Sequence, residues 1–257
     1  MPDSAAAATL DPLAADAAEA EEVSLGGERR SLFIVVSGPG GTGKSTLIQR
    51  WLDADPTLGY VRNYTTRPQR PLDPDSGIDD ADWFHFVSPA EFRRLVEADF
   101  FVQWANASRG YASGTPIAPL HDAVERHQDL VFDYTPQLFI NLRRLFREHV
   151  VGVFIVPPSL GELRRRLHSR AGASDAQIEL KYRMGVQDLA FMDEHDYLVV
   201  NDDLDQTLAT LAALRQAETC RIANLRGLTE KYRTLAPRSM LFYYDLHGER
   251  LAYLSDE

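Results

Sequence analysis

The chain has 257 residues, 44% of them hydrophobic and 25% charged, which is typical of one large folded domain with or without appendages. Its formal net charge of −11 argues against a broad nucleic-acid-binding face, which would need a basic surface. A single cysteine excludes an intrachain disulfide, and neither a membrane-spanning run nor a secretory signal pattern is present, so we predict a cytoplasmic protein without nucleic-acid or membrane partners.

The N-terminal residues 1–29 are rich in Ala, Asp and Glu and poor in large apolar side chains. Such a segment buries too little surface to offset the entropy of ordering it, so we predict a disordered tail. The ordered domain is expected over residues 30–216.

A glycine-rich loop follows the first predicted strand (32–36) and precedes a predicted helix (46–52). The loop reads GPGGTGKS at 38–45 and fits the pattern G-x-x-x-x-G-K-[ST]. In such a loop the backbone N–H groups and the helix dipole converge on phosphates, the lysine reaches the β- and γ-phosphates, and the serine hydroxyl holds Mg²⁺. We therefore predict an ATP and Mg²⁺ site, with Ser45 as metal ligand, made of Gly38, Gly40, Gly41, Thr42, Gly43, Lys44, Ser45 and Thr46.

Strands and helices alternate along the rest of this domain. Capping boxes predict helices from Ser88 to about 98 and from Ser159 to about 169. The other predicted elements are a helix at 116–127 capped by Thr115, helices at 137–148, 175–194 and 205–216, and strands at 100–104, 130–134, 150–156 and 197–200. Continuous apolar strands alternating with helices predict a parallel sheet covered on both faces, with the ligand at the carboxyl ends of its strands.

Beyond residue 216 the pattern changes to a helix with alternating basic residues and then to aromatic runs around a glycine-bearing turn. We predict a C-terminal extension over 217–257 that contains a helix and a β-hairpin. Packing on the core, a dimer interface and a cover over the acceptor site all remain open for the hairpin, and we predict a monomer or a homodimer.

Four further patterns follow the glycine-rich loop in order: TTRPQR at 65–70, FHFVS at 84–88, PPSL at 157–160 and VNDDLD at 200–205. Together with SGP at 37–39 they closely resemble the guanylate kinases, over about residues 31–214. The resemblance implies the three-layer α/β fold of P-loop kinases with a parallel sheet, a small acceptor-binding subdomain at about 62–116 and a helical lid at about 159–195. It also implies ATP-dependent phosphoryl transfer to a nucleoside monophosphate.

The resemblance assigns roles on the acceptor side and beside the adenine. Arg67 and Arg70 match the arginines that clamp the acceptor phosphate, and planar guanidinium forks suit phosphate oxygens. Asp133 is expected to position a magnesium-bound water or the acceptor. Asn201 and Asp202 match the loop that lies against adenine, although this segment also suits simple capping of the last helix.

The resemblance also implies a cationic lid over ATP. Arg166 and Arg170 match the lid arginines that neutralise the migrating phosphoryl group. Lys181 stands where the family has a further arginine, with Arg183 two residues on, and lysine keeps the charge but loses the bidentate fork.

The departures from the family pattern lie in the acceptor half. Phe84 replaces a tyrosine that touches the acceptor phosphate, and Gln103 replaces the glutamate that reads guanine. Tyr111 is kept without the second tyrosine of its motif, Thr115 is retained near guanine O6, and Thr135 replaces a second carboxylate. The loop before Phe84 is longer and more acidic, with Asp73, Asp75, Asp79, Asp80 and Asp82.

The glutamine weakens the expectation of guanine specificity. A carboxylate accepts from both N1–H and N2–H₂ of guanine, whereas an amide offers one acceptor and presents donors elsewhere. We therefore predict a nucleoside monophosphate kinase for GMP, dGMP or a related nucleotide. A kinase for a phosphorylated sugar such as ribose 1,5-bisphosphate and a non-catalytic binding module are the alternatives. The retained Arg67 and Arg70 disfavour the first, and the intact Lys44 and Ser45 disfavour the second.

Overall fold

The computed structural model describes residues 29–70, 79–106, 110–169, 174–225 and 227–229. The predicted N-terminal tail, the C-terminal hairpin and the predicted lid residue Arg170 lie outside the described residues. None of the helices in the described part of the chain is both long and apolar enough to cross a membrane.

Nine strands lie in the described ranges. They are β1 (Phe33–Ser37), β2 (Leu58–Tyr60), β3 (Asn63–Thr65), β4 (Phe84–Phe86), β5 (Phe101–Asn106), β6 (Ala112–Pro116), β7 (Asp129–Asp133), β8 (Val150–Val156) and β9 (Tyr197–Val200). The α-helices there are α1 (Lys44–Ala54), α2 (Asp80–Trp83), α3 (Pro89–Glu97), α4 (Ala118–Glu125), α5 (Pro136–Leu145), α6 (Leu160–His168), α7 (Asp175–Asp188) and α8 (Leu204–Thr219).

The central sheet has the strand order β2–β7–β1–β8–β9, and all of its strand pairs are parallel. Alternate residues of β1 enter cores on opposite faces of the sheet. Ile34 and Val36 pack in the cluster that includes residues of α1 and α8, whereas Phe33 and Val35 pack in the cluster that includes residues of α4 and α5. This arrangement confirms the predicted parallel sheet with helices on both faces, and it brings the carboxyl ends of the strands to one edge.

A second, smaller sheet has the order β4–β3–β6–β5. Strands β3 and β4 are parallel, while β6 runs antiparallel to both β3 and β5. This sheet carries Phe84 and Gln103, two of the positions at which the chain departs from the family pattern.

Several predicted boundaries need correction. Thr115 does not cap the next helix: it lies in β6, and α4 begins after Ile117, because β6 stays paired with β5 as far as Pro116 and the Ile117 N–H donates to the Phe100 carbonyl. The helix predicted over 175–194 is α-helical only to Asp188 and continues as a 3₁₀ helix at Leu189–Glu194. The last helix extends to Thr219, three residues beyond its predicted end.

The predicted capping boxes are half confirmed. The hydroxyls of Ser88 and Ser159 accept from the backbone N–H three residues on, as expected of N-caps. The glutamate of each box turns away to arginines: Glu91 pairs with Arg94, and Glu162 pairs with Arg165 and Arg166.

Candidate active site

The glycine-rich loop joins β1 to α1 at the carboxyl edge of the central sheet. Gly38, Gly41 and Gly43 have φ angles of 127°, 97° and 91°, a region that side chains with a Cβ rarely adopt. A Cβ on Gly38 would also lie 2.2 Å from the Ile155 carbonyl oxygen, and one on Gly43 would lie 2.7 Å from Asn201 Nδ2. These positions require glycine for both conformation and space.

Lys44 bends back over this loop. Its Nζ donates to the carbonyl oxygens of Gly38 at 2.8 Å and Pro39 at 2.9 Å. The buried Thr42 hydroxyl donates to the same Pro39 oxygen at 3.0 Å, which fixes the turn. The ammonium group therefore lies at the mouth of the loop, where a bound phosphate would exchange for carbonyl contacts.

Ser45 and Asp133 meet at the same edge of the sheet. Ser45 Oγ donates to Asp133 Oδ2 at 2.8 Å, although the two residues are 88 positions apart in the chain. The register of β1 and β7 brings them together, because Val36 pairs with Asp133. A hydroxyl and a carboxylate are both ligand types that Mg²⁺ accepts, so this pair fits a magnesium ion held with phosphate oxygens.

Asn201 supports the glycine-rich loop through the hydrogen bonds of its side chain. It is 2% exposed, its Nδ2 donates to the Thr42 carbonyl at 2.7 Å, and its Oδ1 accepts from Thr207 Oγ1 at 3.1 Å. The capping interpretation also holds, at Asp203, whose side chain accepts from the N–H of Gln206. Asn201 therefore positions the glycine-rich loop, and its neighbour Asp202 is exposed.

A cavity of about 550 Å³ opens between the glycine-rich loop and α6. Arg166 lines it, with Nε donating to Glu162 at 2.6 Å and Nη2 donating to the Asn201 carbonyl at 3.1 Å. Hydrogen bonds from Arg165 and Arg166 lower the pKa of Glu162 to about 2. The other lining residues include Gly41, Gly43, Thr46, Arg50, Asp202 and Asp205.

The two basic residues predicted on the next helix are placed differently. Arg183 pairs with Glu179 at 3.0 Å, and its side chain is 73% exposed. Lys181 is partly buried on the same helix, and neither residue lines the cavity beside the glycine-rich loop. Of the predicted lid cations within the described residues, Arg166 therefore lines the cavity, together with Glu162 and Arg165 of the same helix.

On the acceptor side, Arg67 is held by a carboxylate and by aromatic rings. Its Nη1 and Nη2 donate to the two oxygens of Asp80 at 2.6 and 2.9 Å. Its guanidinium carbon lies 4.6 Å from the ring centroid of Phe84 and 5.3 Å from that of Phe86. Asp80 also accepts from the backbone N–H of Arg70 at 2.8 Å. The role of Asp80 was missed from the sequence, where its only signal was the acidic run before Phe84.

Gln103 and Thr115 are register partners of β5 and β6 and belong to a buried polar network that consists of two hydrogen-bonded groups. The Thr115 hydroxyl donates to Asn63 Oδ1 at 2.8 Å, so the 2.6 Å contact with Tyr134 is donated by the tyrosine hydroxyl. Gln103 Oε1 accepts from Asn141 Nδ2 at 2.9 Å, and its buried Nε2 has no hydrogen-bond partner within the described residues. Burial raises the pKa of Tyr134. The nearby side chains of Thr115 and Gln103 act against that rise, although Gln103 Nε2 forms no regular hydrogen bond within the described residues.

Sequence reasoning missed three members of this network: Asn63, Tyr134 and Asn141. Each joins the network from a different segment of the chain, so no local motif marks it. Two predicted residues stay outside the network: Tyr111 is 37% exposed beside β6, and Thr135 is the N-cap of α5 without a side-chain capping bond.

A parallel sheet with a glycine-rich phosphate loop, a lysine and a serine–aspartate pair at its carboxyl edge defines a P-loop kinase. The family model for guanylate kinase matches residues 30–218, and the chain belongs to the guanylate kinase family.

Similar proteins support this assignment over most of the chain. The chain is 34% identical to the guanylate kinase of Rhizobium etli over 207 residues, which cover 80% of this chain and 91% of that protein. It is 37% identical to the guanylate kinase of Jannaschia sp. over 208 residues, 80% of this chain and 93% of that protein. The crystal structure of guanylate kinase from Anaplasma phagocytophilum superposes with a TM-score of 0.66 at 25% identity, covering 82% of this chain and 97% of that one.

Proposed function

We propose that this chain transfers the terminal phosphoryl group of ATP to the phosphate of GMP, giving GDP and ADP. The observation that carries the proposal is the placement of the Lys44 and Ser45–Asp133 contacts at the carboxyl edge of a parallel sheet. Relatives of similar length that are named guanylate kinase supply the acceptor.

The donor half neutralises the triphosphate. Backbone N–H groups of the glycine-rich loop, the Lys44 ammonium and the dipole of α1 bind the phosphates. Arg166 exchanges its Asn201 carbonyl contact for phosphate oxygens, and Arg170 is expected to add a second lid cation. Ser45 and Asp133 would hold Mg²⁺, which when bound supplies positive charge to the phosphate oxygens.

The acceptor half holds the monophosphate in line with the donor. Arg67 and Arg70 bind its phosphate, and Gln103 and Thr115 face its base. Fixing two polyanions in one orientation is the main contribution a protein makes to phosphoryl transfer, because little covalent chemistry is left to it.

The two alternatives are not favoured. A phosphosugar kinase and a non-catalytic binding module both lack support among the relatives above, which carry the name guanylate kinase. A cytoplasmic location, a monomeric or homodimeric state, and the absence of nucleic-acid and membrane partners stay predictions from the sequence.

A coupled ADP-release assay tests the proposal. The purified full chain with Mg-ATP is offered GMP, dGMP, IMP, AMP, CMP, UMP and ribose 1,5-bisphosphate in parallel. We expect turnover with GMP, with one GDP formed for each ADP. Absence of turnover with every nucleotide, or faster turnover of the phosphosugar than of any nucleotide, would contradict it.

A further inference from the structure

The contacts of Arg67 use one edge of its guanidinium group and leave another edge available. Arginine has five N–H donors. Nη1 donates to Asp80 and to the Pro68 carbonyl at 3.1 Å, and Nη2 gives one proton to Asp80. The two remaining donors, Nε–H and the second Nη2–H, lie together on the side edge of the fork. No described residue accepts from either of them.

The geometry around Asp80 is rigid. Arg67 and Asp80 are each 15% exposed at the side chain, so this ion pair is shielded from solvent. Phe84 and Phe86, alternate residues of β4, lie against the guanidinium plane, and cation–π contacts of this kind restrict rotation of the group. Hydrogen bonds from Arg67 and Arg70 outweigh the desolvation of Asp80 and keep its pKa below the ordinary value.

Asp80 also fixes the backbone that carries the second arginine. Its Oδ2 accepts from the Arg70 N–H at 2.8 Å, and its neighbour Asp79 accepts from Gln69 Nε2 at 3.3 Å. The short helix α2 therefore holds the segment that contains both predicted phosphate-binding arginines. A bound phosphate needs no change in this arrangement, because the free side edge of Arg67 has the spacing for a bidentate bond to two phosphate oxygens.

From these contacts we infer that Asp80 is a positioning residue for acceptor binding. It holds the end edge of the Arg67 guanidinium so that the Nε–Nη2 edge is presented to the acceptor phosphate, and it does not compete with that phosphate. This inference rests on the proposed function, in which Arg67 binds the phosphate of the nucleoside monophosphate.

The variant Asp80→Asn tests the inference, because it keeps the shape of the side chain and removes its charge and its second acceptor oxygen. We expect the KM for GMP to rise about tenfold while the KM for ATP stays within about twofold, since the donor half is untouched. If Asp80 instead competed with the acceptor phosphate for Arg67, the substitution would lower the KM for GMP. Either a lower or an unchanged KM for GMP would overturn the inference.

Asp82→Asn is the matched control. It removes the same charge two residues away, from an exposed side chain on the same short helix. The hydrogen bonds of Arg67 and of the Arg70 backbone go to Asp80 and not to Asp82, and we expect both KM values to stay within about twofold of the parent. A tenfold rise for this control would assign the effect to net charge and overturn the inference.

A double-mutant cycle separates positioning from a structural role. In an Arg67→Ala background, Asp80→Asn should change the KM for GMP by less than about twofold, because the guanidinium group is gone and the asparagine oxygen can still accept from the Arg70 N–H. A tenfold effect that persists there would overturn the inference. If the parent chain turns over no nucleotide, the proposed function fails. The same double-mutant cycle can then be measured as GMP affinity by calorimetry. We expect Asp80→Asn to weaken GMP binding about tenfold there too, and the absence of that loss would overturn the positioning role.

Discussion

The two halves of the site are built in different ways. The donor half is made largely of backbone: three glycines in left-handed conformations and the start of α1, supported by a fully buried strand. The acceptor half is made of side chains that contact one another, such as Arg67 with Asp80 and Thr115 with Asn63. A backbone site depends on a short local motif, whereas a side-chain site depends on pairs that can change together. This difference fits the family pattern, which is largely kept in the first half, apart from Lys181, and is altered more in the second.

Substitution of Lys44 should have the largest effect on the donor half. Lys44→Ala removes the ammonium group from the mouth of the loop, and we expect kcat/KM to fall by about 10³-fold, as for other fixed charges that stabilise a transition state. Steady-state assays with Mg-ATP and GMP measure the loss. GMP binding by calorimetry serves as the control and should be unchanged within about twofold, so a variant that loses both ligands would contradict a separate donor half.

Substitution of Arg67 should act on the acceptor half. Arg67→Ala removes a bidentate phosphate contact and leaves Asp80 without its partner, and we expect kcat/KM for GMP to fall by about 10²-fold with the KM for ATP nearly unchanged. Arg94→Ala is the control, because Arg94 is 68% exposed and its ion pair is with Glu91 on the same helix. An equal loss of kcat/KM in the control, or a matching rise in the KM for ATP, would contradict the proposal that the two halves are separate.

Gln103 provides a test of base recognition. Gln103→Glu keeps an acceptor for Asn141 and replaces the unpartnered Nε2 by an oxygen, which can accept from the guanine amino group. We expect the ratio of kcat/KM for GMP over IMP to rise about tenfold, the value of one hydrogen bond to a charged group. The exposed Gln216→Glu is the control. A ratio that does not move would exclude contact between Gln103 and this edge of the base.

Acidification should weaken the fold before it weakens the Arg67–Asp80 pair, and this is the smallest expected effect. Burial lowers the pKa of His195 below its ordinary 6.5, against the opposing effect of its bond to the Phe191 carbonyl, with Arg143 and Asp196 as its charged neighbours. Because the pKa of His195 is lowered in the folded protein, the unfolded chain binds the proton more tightly. The contribution of neutral His195 to stability is therefore fully present above about pH 6.5 and declines below it.

We expect Tm to fall by about 2–4 °C for each kcal/mol lost as the pH decreases from 7 towards 5.5. His195→Gln should remove part of this slope, because burial also lowers the pKa of His85 and His149. The exposed His168→Gln should leave the slope unchanged. In the acceptor half the pKa of Asp80 is lowered from 3.8, so its pairing with Arg67 is present above that value and is lost only at lower pH. If the KM for GMP rose between pH 7 and 5.5 in parallel with the fall in Tm, acid would be weakening the Arg67–Asp80 pair together with the fold, and the prediction would be contradicted.

The donor half could be predicted from the sequence more fully than the acceptor half. Strands β1, β7, β8 and β9 were predicted because each is a short apolar run between turn signals, and the glycine-rich loop is a contiguous motif. The bond between Ser45 and Asp133 follows from neighbouring parallel strands. The local motif and the strand pattern therefore contain most of the information about the donor half.

The acceptor half was less predictable because its contacts join distant segments. Tyr134 reads as the end of an apolar run, yet its hydroxyl donates to Thr115. The helix α4 begins later than predicted because β6 stays paired with β5 as far as Pro116. Asp80 reads as one of several acidic loop residues, and only the fold shows that it meets Arg67. Such pairs depend on the register of the small sheet, which the local pattern does not contain.

The most direct test of two separately built halves is calorimetric titration of the full chain with Mg-ATP and, separately, with GMP. We expect the parent to bind each ligand at one site, Lys44→Ala to lose at least about tenfold in affinity for Mg-ATP alone, and Arg67→Ala to lose at least about tenfold for GMP alone. A parent chain that does not bind Mg-ATP, or substitutions that weaken both ligands equally, would contradict the account.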